Sequence, residues 1–155
     1  MKLLFENWKR FLNEEADSYP RGEGDDLEEV AKVVIVSPDD TVLILQRADH
    51  MVWKPDLWDL PGGFQKKDES LEQAATREIE EETGLQIKDL TEFGIVNEIT
   101  IYKASVSADD QDIELDDENS DHKWVKLDEL EEYEFVPFMK DFIVNALGES
   151  TEDSE

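Results

Sequence analysis

A run of glutamates between residues 78 and 82 is the part of the sequence best suited to chemistry. In a helix that turns by about 100° per residue, Glu78, Glu81 and Glu82 project along or beside the apolar side, whereas Glu80 falls on the solvated side. Clustered carboxylates that face the protein lose hydration and repel one another. Because Arg77 alone cannot balance three anions, the pattern predicts a divalent cation, and an all-oxygen ligand set favours Mg²⁺ or Mn²⁺ over zinc.

A glycine pair, Gly62-Gly63, stands shortly before this helix in the sequence. Glycine lets the backbone approach a ligand closely, and an exposed carbonyl at this point is another oxygen donor for a metal ion. Mg²⁺ that is held by a few carboxylates usually keeps several waters and binds substrate phosphates. These residues therefore predict metal-assisted chemistry on a phosphate or a diphosphate.

The same segment carries the signature of a known family. The defined positions of the Nudix box are matched by Gly63, Glu69, Arg77-Glu78-Ile79, Glu81-Glu82 and Gly84-Leu85. Trp58-Asp59-Leu60-Pro61-Gly62 is similar to the usual lead-in of that box. The chain thus resembles the Nudix hydrolases from about Val30 to Leu147. This resemblance implies an α/β fold, the Nudix-type α/β/α sandwich with a mixed β-sheet.

The resemblance also implies which residues hold the metal ion. The helix glutamates that ligate metal in the family correspond to Glu78, Glu81 and Glu82, of which Glu81 and Glu82 match most firmly. The backbone carbonyl of Gly62 is the counterpart of a further ligand. Glu69 resembles the residue that supports the loop and the helix, and it is a candidate for the metal shell.

Two more catalytic roles follow from the resemblance. Arg77 resembles the arginine that orients a neighbouring glutamate, so we expect it to pair with Glu78 or Glu69. Many family members use a later glutamate as ligand or base, and Glu118 resembles it. Asp117 and Asp121 are alternatives, because eight acidic residues crowd the stretch 109–121.

The implied activity is Mg²⁺- or Mn²⁺-dependent hydrolysis of a diphosphate bond in a nucleoside diphosphate linked to another moiety. A bound water with a lowered pKa attacks phosphorus, and a glutamate accepts its proton. A dinucleoside polyphosphate hydrolase is a narrower version of this hypothesis. A non-catalytic nucleotide-sensing module is an alternative, although such modules commonly lose box glutamates and none is lost here. The isopentenyl diphosphate isomerase type relies on a cysteine, which this chain lacks.

Residues outside the box are candidates for substrate contact. In similar proteins a basic residue at the position of Arg47, at the end of a predicted strand, often contacts a phosphate, and pairing with surface acids is the alternative. Trp53 and Trp58 could stack on a nucleobase, but core packing is the more frequent place for tryptophan. Tyr102 stands at the spacing of an adenine-stacking tyrosine in dinucleoside polyphosphate hydrolases, and sheet packing is equally compatible with its apolar neighbours.

The elements that position these residues follow from hydrophobic periodicity. Strands are predicted over residues 31–37 and 41–47 as a hairpin, and a helix over residues 70–83 ends at Gly84. One long or two short strands are expected over residues 93–106, and a short strand is possible through residues 113–115. The domain closes with a helix over residues 137–147.

The sequence predicts three segments. Residues 1–27 form an amphipathic helix and a linker, residues 28–147 form the Nudix hydrolase domain, and residues 148–155 form an acidic disordered tail. The helix of the first segment is expected either to pack on the domain or to dock to a partner. Mg²⁺ or Mn²⁺ and a small-molecule nucleotide diphosphate are the expected cofactor and ligand, with a monomer or a homodimer as the assembly.

Composition excludes several other classes. The chain of 155 residues has 15 Lys+Arg against 42 Asp+Glu, for a net charge of −27, which repels nucleic-acid backbones and anionic membranes. We therefore expect neither a nucleic acid nor a membrane as a partner. The chain has no cysteine, which excludes disulfides and fits a reducing compartment. The protein is expected to be cytoplasmic.

Overall fold

The computed structural model describes residues 29–96, 99–107 and 112–152. Its strands are Val30–Val36 (β1), Val42–Arg47 (β2), Trp58–Asp59 (β3), Gly62–Phe64 (β4), Lys88–Val96 (β5), Ile99–Ser105 (β6) and Asn119–Val125 (β7). Its helices are Leu71–Thr83 (α1), Met139–Glu152 (α2) and a 3-10 helix, Leu127–Glu132. The predicted N-terminal segment, residues 1–27, lies outside the described residues.

The strands form a mixed sheet in which β1 is central. β1 pairs in parallel with β6 along its whole length, and β6 pairs with β5 in antiparallel fashion. On its other side β1 meets β2 only near the hairpin turn, where Val36 is opposite Val42. Further from the turn, β4 pairs with β1 and β3 pairs with β2, whereas β7 pairs with β2 from Val42 to Arg47. β1 and β2 therefore diverge beyond the turn. The neighbour of β1 in this region is β4, which carries the glycine pair.

Two apolar layers cover the sheet, because alternate side chains of β1 face opposite sides. Val30 and Val34 pack with Phe142 and Ile143 of α2 in one core cluster. Val33 and Ile35 pack with Ile79 of α1 in the other. The predicted α/β fold with helices on both faces of a mixed sheet is confirmed.

Helix α1 has the ends that its sequence predicts. Ser70 caps its N-terminus by accepting a hydrogen bond from the backbone N–H of Gln73, whose side chain binds the N–H of Ser70 in return. Gly84 ends the helix in the left-handed conformation, with φ of 78°. Because both ends are defined, the direction of each glutamate on α1 is also defined.

The structure differs from the predicted elements at two places. β7 begins at Asn119, and residues 113–115 form no strand. Helix α2 continues to Glu152, where an acidic tail from residue 148 was expected. A helix that is already nucleated gains one hydrogen bond for each residue added, and a glycine such as Gly148 costs only about 1 kcal/mol. Among the described residues, no helix has the length and apolar character required to cross a bilayer.

Candidate active site

Helix α1 directs two of its glutamates onto the glycine pair of β4. The backbone N–H of Gly62 donates a hydrogen bond of 2.9 Å to Oε1 of Glu82. Gly63 faces the carboxylate of Glu78 so closely that a Cβ atom at this position would lie 2.4 Å from Cδ of Glu78. Only glycine allows this approach. The contact therefore explains why the chain places a glycine pair before an acidic helix.

We predict that Gly63→Ala damages activity more than stability. The new methyl group would have to displace the Glu78 carboxylate, because real Cβ atoms do not approach other atoms at 2.4 Å. Glu78 would then leave the cleft wall, and kcat should fall by about tenfold or more, as for other misplaced catalytic groups. Steady-state kinetics and urea unfolding of the same preparation test this. An unchanged kcat would contradict it.

Arg77 connects the box residues to one another. Its guanidinium donates to Glu69 at 2.8 and 3.2 Å, to Glu78 at 3.3 Å and to Glu81 at 3.1 Å. It also donates to the backbone carbonyl of Phe64 at 3.1 Å. The expected pairing of Arg77 with Glu78 or Glu69 occurs with both. The hydrogen bond from Arg77 lowers the pKa of Glu69, and the acceptors raise the pKa of Arg77.

We predict that Arg77→Lys destabilises the protein and lowers kcat. A lysine ammonium has no planar fork, so it can serve one or two of the partners of Arg77 but not all of them. The loss of two partly exposed charge-assisted hydrogen bonds should cost about 1–2 kcal/mol of the free energy of unfolding. Chemical denaturation measures this cost. Stability equal to that of the wild type would show that the fork geometry is unimportant.

The two glutamates at the glycine pair are held in an environment that opposes their charge. Burial raises the pKa of Glu78, although Arg77 acts in the opposite direction. Burial also raises the pKa of Glu82 well above its ordinary value, with Lys32 opposing this shift. A desolvated carboxylate gains stability from a cation placed beside it. Both residues are therefore suited to hold a positive ion.

A loop before β7 brings two further carboxylates to the same place. Single carboxylate oxygens of Glu82, Asp116 and Glu118 lie within 4.8 Å of one another. Asp116 accepts a hydrogen bond from the backbone N–H of Glu118 at 3.2 Å, and the Glu118 carbonyl accepts one from Ala48 at 2.9 Å. Glu118 therefore lies at the site, and its role as ligand or base stays a prediction.

Two cations also line the site, Lys32 and Arg47. Lys32 of β1 is buried and donates hydrogen bonds of 3.0 Å to Asp59 and to the carbonyl of Leu60. Arg47 donates from Nε to the carbonyl of Trp53 at 2.8 Å, and its guanidinium lies 5.2 Å from the centre of the Trp53 ring. We call the lining carboxylates Glu78, Glu82 and Glu118 the acidic wall of the cleft, and we call Lys32, Arg47 and the Asp59 between them the basic wall.

The cleft between these walls has a volume of about 280 Å³. It is lined by Lys32, Leu45, Arg47, Met51, Trp53, Asp59, Leu60, Gly62, Gly63, Phe64, Glu78, Glu82, Glu118 and Asn119. It lies where β1 and β2 diverge, because residues of β4 and the last residues of β2 line it. This volume is at the lower end of the range of small-molecule sites.

Five of the predicted site residues do not line this cleft. Glu69 and Arg77 are two of them, and they bind each other. Glu81 has a side chain that is 54% exposed and turned to Arg77, because it lies at the edge of the apolar stripe. Trp58 packs in a core cluster, with the Tyr133 ring 5.3 Å from its own. Tyr102 is buried in the other cluster, and burial raises its pKa to about 12. These positions favour the packing alternative for Trp58 and Tyr102.

Sequence reasoning missed Lys32, Asp59 and Asp116. A signal existed for Lys32, since a lysine within the apolar run of residues 31–36 requires a buried partner. Nothing in the sequence identified Asp59 as that partner, 27 residues away. Asp116 is one of many acids in its loop, and only the folded loop distinguishes it from its neighbours.

Comparison with known proteins agrees with this geometry. The model of the NUDIX domain family matches residues 27–146. The chain belongs to the Nudix family. One relative is the nucleoside triphosphatase NudI of Salmonella paratyphi B. It is 31% identical over 118 residues, covering 64% of this chain and 83% of NudI.

Two other matches show how far the similarity to Nudix proteins extends. The m7GpppN-mRNA hydrolase NUDT17 of Bos taurus is 41% identical over 68 residues, which is 44% of this chain but only 22% of NUDT17. The crystal structure of a MutT protein from Methanosarcina mazei superimposes with a TM-score of 0.57 and 25% identity, covering 81% of this chain and 94% of the MutT chain. The match therefore spans 22% of NUDT17, 83% of NudI and 94% of the MutT chain.

The carboxylates gathered at the site fit a divalent cation. The donors gathered at Glu82, Asp116 and Glu118 are all oxygens at close distance, which suits a hard cation. The absent Cβ of Gly63 leaves room for the Glu78 carboxylate at the same wall. A cation placed there would also offset the loss of hydration at Glu78 and Glu82.

Proposed function

We propose that this chain hydrolyses a diphosphate bond in a nucleoside diphosphate linked to another moiety, with a divalent cation as cofactor. The observation that carries this proposal is a single cleft that is lined both by the carboxylates of Glu78, Glu82 and Glu118 and by the cations of Lys32 and Arg47. A diphosphate has enough negative charge to interact with both groups, directly with Arg47 and through a cation with the carboxylates.

The ion that we propose is Mg²⁺ or Mn²⁺, because every available donor is an oxygen. Glu78, Glu82 and Glu118 would hold it, with Asp116 and the backbone of Gly62 beside them. When bound, such a cation polarises the diphosphate and lowers the pKa of a coordinated water. Glu81 would support Glu78 through their shared partner Arg77.

The residues of the chain would divide the remaining work between them. Glu118 is the exposed member of its carboxylate cluster, so we propose that it accepts the proton of the attacking water. Its backbone contacts with Ala48 and Asp116 hold it against the cleft. Arg47 would bind a phosphate of the substrate by charge-assisted hydrogen bonds. Because the cleft is small, the rest of the substrate must extend beyond it.

A substrate panel tests this function. It should include ADP-ribose, NADH, a dinucleoside polyphosphate and a nucleotide sugar. It should also include a nucleoside triphosphate and an m7GpppN cap dinucleotide, the substrate classes in the names of NudI and NUDT17. Each is incubated with Mg²⁺ or Mn²⁺, with EDTA as the control, and the products are separated by anion-exchange chromatography. We expect metal-dependent cleavage of at least one compound at a diphosphate bond.

The alternative is a nucleotide-sensing Nudix module. Binding of a panel compound without any cleavage in Mg²⁺ or Mn²⁺ would favour it and contradict the enzymatic proposal. We further propose that the protein is cytoplasmic, acts as a monomer or homodimer, and takes a small nucleotide rather than a nucleic acid. The charge of −27 and the absence of cysteine support these points.

A further inference from the structure

The basic wall of the cleft contains one buried carboxylate between two cations. Oδ2 of Asp59 lies 3.0 Å from Nζ of Lys32 and 3.8 Å from Nη1 of Arg47. The first distance is that of a hydrogen bond, whereas the second is too long for one. The side chains of Lys32 and Asp59 are 5% and 6% exposed, and that of Arg47 is 15% exposed.

We propose that Lys32 is a positioning residue that neutralises Asp59 and thereby keeps Arg47 available for a phosphate of the substrate. The inference rests on the proposed function, since it concerns how the same cleft binds a phosphorylated ligand. It assigns to Lys32 a role that acts through Asp59 on Arg47, without a contact between Lys32 and the ligand.

The contacts of Asp59 explain why it pairs with Lys32 and not closely with Arg47. Its Oδ1 accepts a hydrogen bond of 2.7 Å from the backbone N–H of Leu60, which fixes the direction of the carboxylate. Nζ of Lys32 also donates to the carbonyl of Leu60 at 3.0 Å. The Lys32–Asp59 pair is thus held by hydrogen bonds to Leu60, in the segment that joins β3 to β4 and lines the cleft.

Arg47 is held from its other side. Its Nε donates to the carbonyl of Trp53, and its guanidinium plane lies over the Trp53 ring. Among the described residues, Nε is the nitrogen of Arg47 that donates a hydrogen bond, and the terminal nitrogens have a long ion pair with Asp59 only. Guanidinium groups bind phosphate through such terminal nitrogens. Arg47 is therefore positioned by Trp53 and still able to bind an anion.

Removal of Lys32 would change how Asp59 and Arg47 interact. Asp59 would become a buried carboxylate with Arg47 as its neighbouring cation, and an unpaired buried charge is costly. The guanidinium would move onto Asp59 and form a close ion pair, which competes with an incoming phosphate. In charge terms, the group of Lys32, Asp59 and Arg47 would fall from a net charge of +1 to zero.

The experiment measures ligand affinity in variants that change this net charge. The probe is ADP-ribose, bound in EDTA at 0.15 M NaCl and followed by calorimetry, so that neither the cation nor turnover contributes. Lys32→Met should raise the Kd about tenfold, the effect of losing one charge-assisted hydrogen bond to the ligand. Lys32→Met/Asp59→Asn restores the net charge of +1 and should return the Kd to within about threefold of the wild type.

Kinetics with Mg²⁺ separate this positioning role from a structural one. For a compound that the wild type cleaves, Lys32→Met should raise KM and change kcat much less, and the double variant should recover KM. Lys126→Met is the matched control, because it removes a lysine that is exposed and does not line the cleft. Lys32→Arg should retain the affinity, since it keeps the charge that pairs with Asp59.

Several outcomes would overturn the inference. They are an unchanged Kd in Lys32→Met, a raised Kd that the double variant does not restore, and no metal-free binding of ADP-ribose by the wild type. If Lys32→Met does not fold, Asp59→Asn alone decides, because a tenfold rise in Kd on removal of Asp59 contradicts competition for Arg47. Failure of the proposed function would look different. The Kd values of the variants would change as expected here, but no panel compound would be cleaved.

Discussion

Glu82→Gln should nearly abolish hydrolysis while the fold is retained. The amide oxygen of glutamine can still accept the hydrogen bond from Gly62 N–H, which is 2.9 Å in the wild type. The negative charge that Glu82 would offer to a cation is lost, however, and so is its contribution to the carboxylate group with Asp116 and Glu118. We expect kcat to fall by on the order of 10²–10⁴, the range for loss of a group that acts directly in the reaction.

Glu80→Gln is the matched control for this variant. Glu80 lies on the same helix, two residues away, with an exposed side chain. Its substitution removes the same charge from a protein with a net charge of −27. We expect its kcat to remain within about twofold of the wild type, as for surface charges outside a site. Similar activities for the two variants would contradict a catalytic role for Glu82.

Metal-free stability gives a second measurement on the same pair. Because burial raises the pKa of Glu82, its ionised form destabilises the metal-free fold at neutral pH. The neutral amide of Glu82→Gln removes this penalty, so urea unfolding in EDTA should show stability equal to or above that of the wild type. Glu80→Gln should show no such gain.

Gly62→Ala should have the largest effect on folding. A Cβ atom at residue 62 would lie 2.0 Å from the carbonyl oxygen of Ala31, on the paired strand β1, and φ of Gly62 is 142°. The obstacle is backbone, so no side-chain rotation can relieve it. Strain and disrupted pairing together should cost about 4 kcal/mol or more of the free energy of unfolding. That is a large share of the usual stability of a domain.

Gly84→Ala separates the two causes of the stability loss expected for Gly62→Ala, which are the positive φ and the contact with Ala31. Gly84 also has a positive φ, of 78°, but a Cβ there would meet only Glu114 at 3.8 Å, an ordinary contact. Its substitution should therefore cost about 1–2 kcal/mol, the penalty for a left-handed conformation alone. Urea unfolding of both variants gives the difference. Equal losses of stability would show that the contact with Ala31 does not matter.

The chemistry on helix α1 was predictable because it is local. The capping residues Ser70 and Gly84 and the apolar period determine where the helix begins, ends and faces. The inward direction of Glu78 and Glu82 follows from that period and agrees with their contacts at the glycine pair. Their roles as metal ligands stay predictions.

Periodicity was less informative at the edge of the apolar stripe. On a helical wheel Glu81 lies about 60° from Glu78 and about 100° from Glu82, and its carboxylate is mostly exposed and binds Arg77. The aromatic rings of Trp58 and Tyr102 could either stack on a ligand or pack in the core. The sequence pattern of their strands does not distinguish these two roles. The tertiary structure distinguishes the two roles, because Trp58 is packed in one core cluster and Tyr102 in the other.

The amino-acid sequence by itself determined the family, the acidic helix, the glycine pair and the hairpin, since each depends on residues that are near one another along the chain. Only the tertiary structure decided the basic wall of Lys32, Asp59 and Arg47 and the place of Asp116. These groups come from separate strands and a loop, and β1 and β2 must diverge before they can share a cleft. A buried charge requires a partner, but the sequence does not say which of many acids will be near enough, because that depends on strand register.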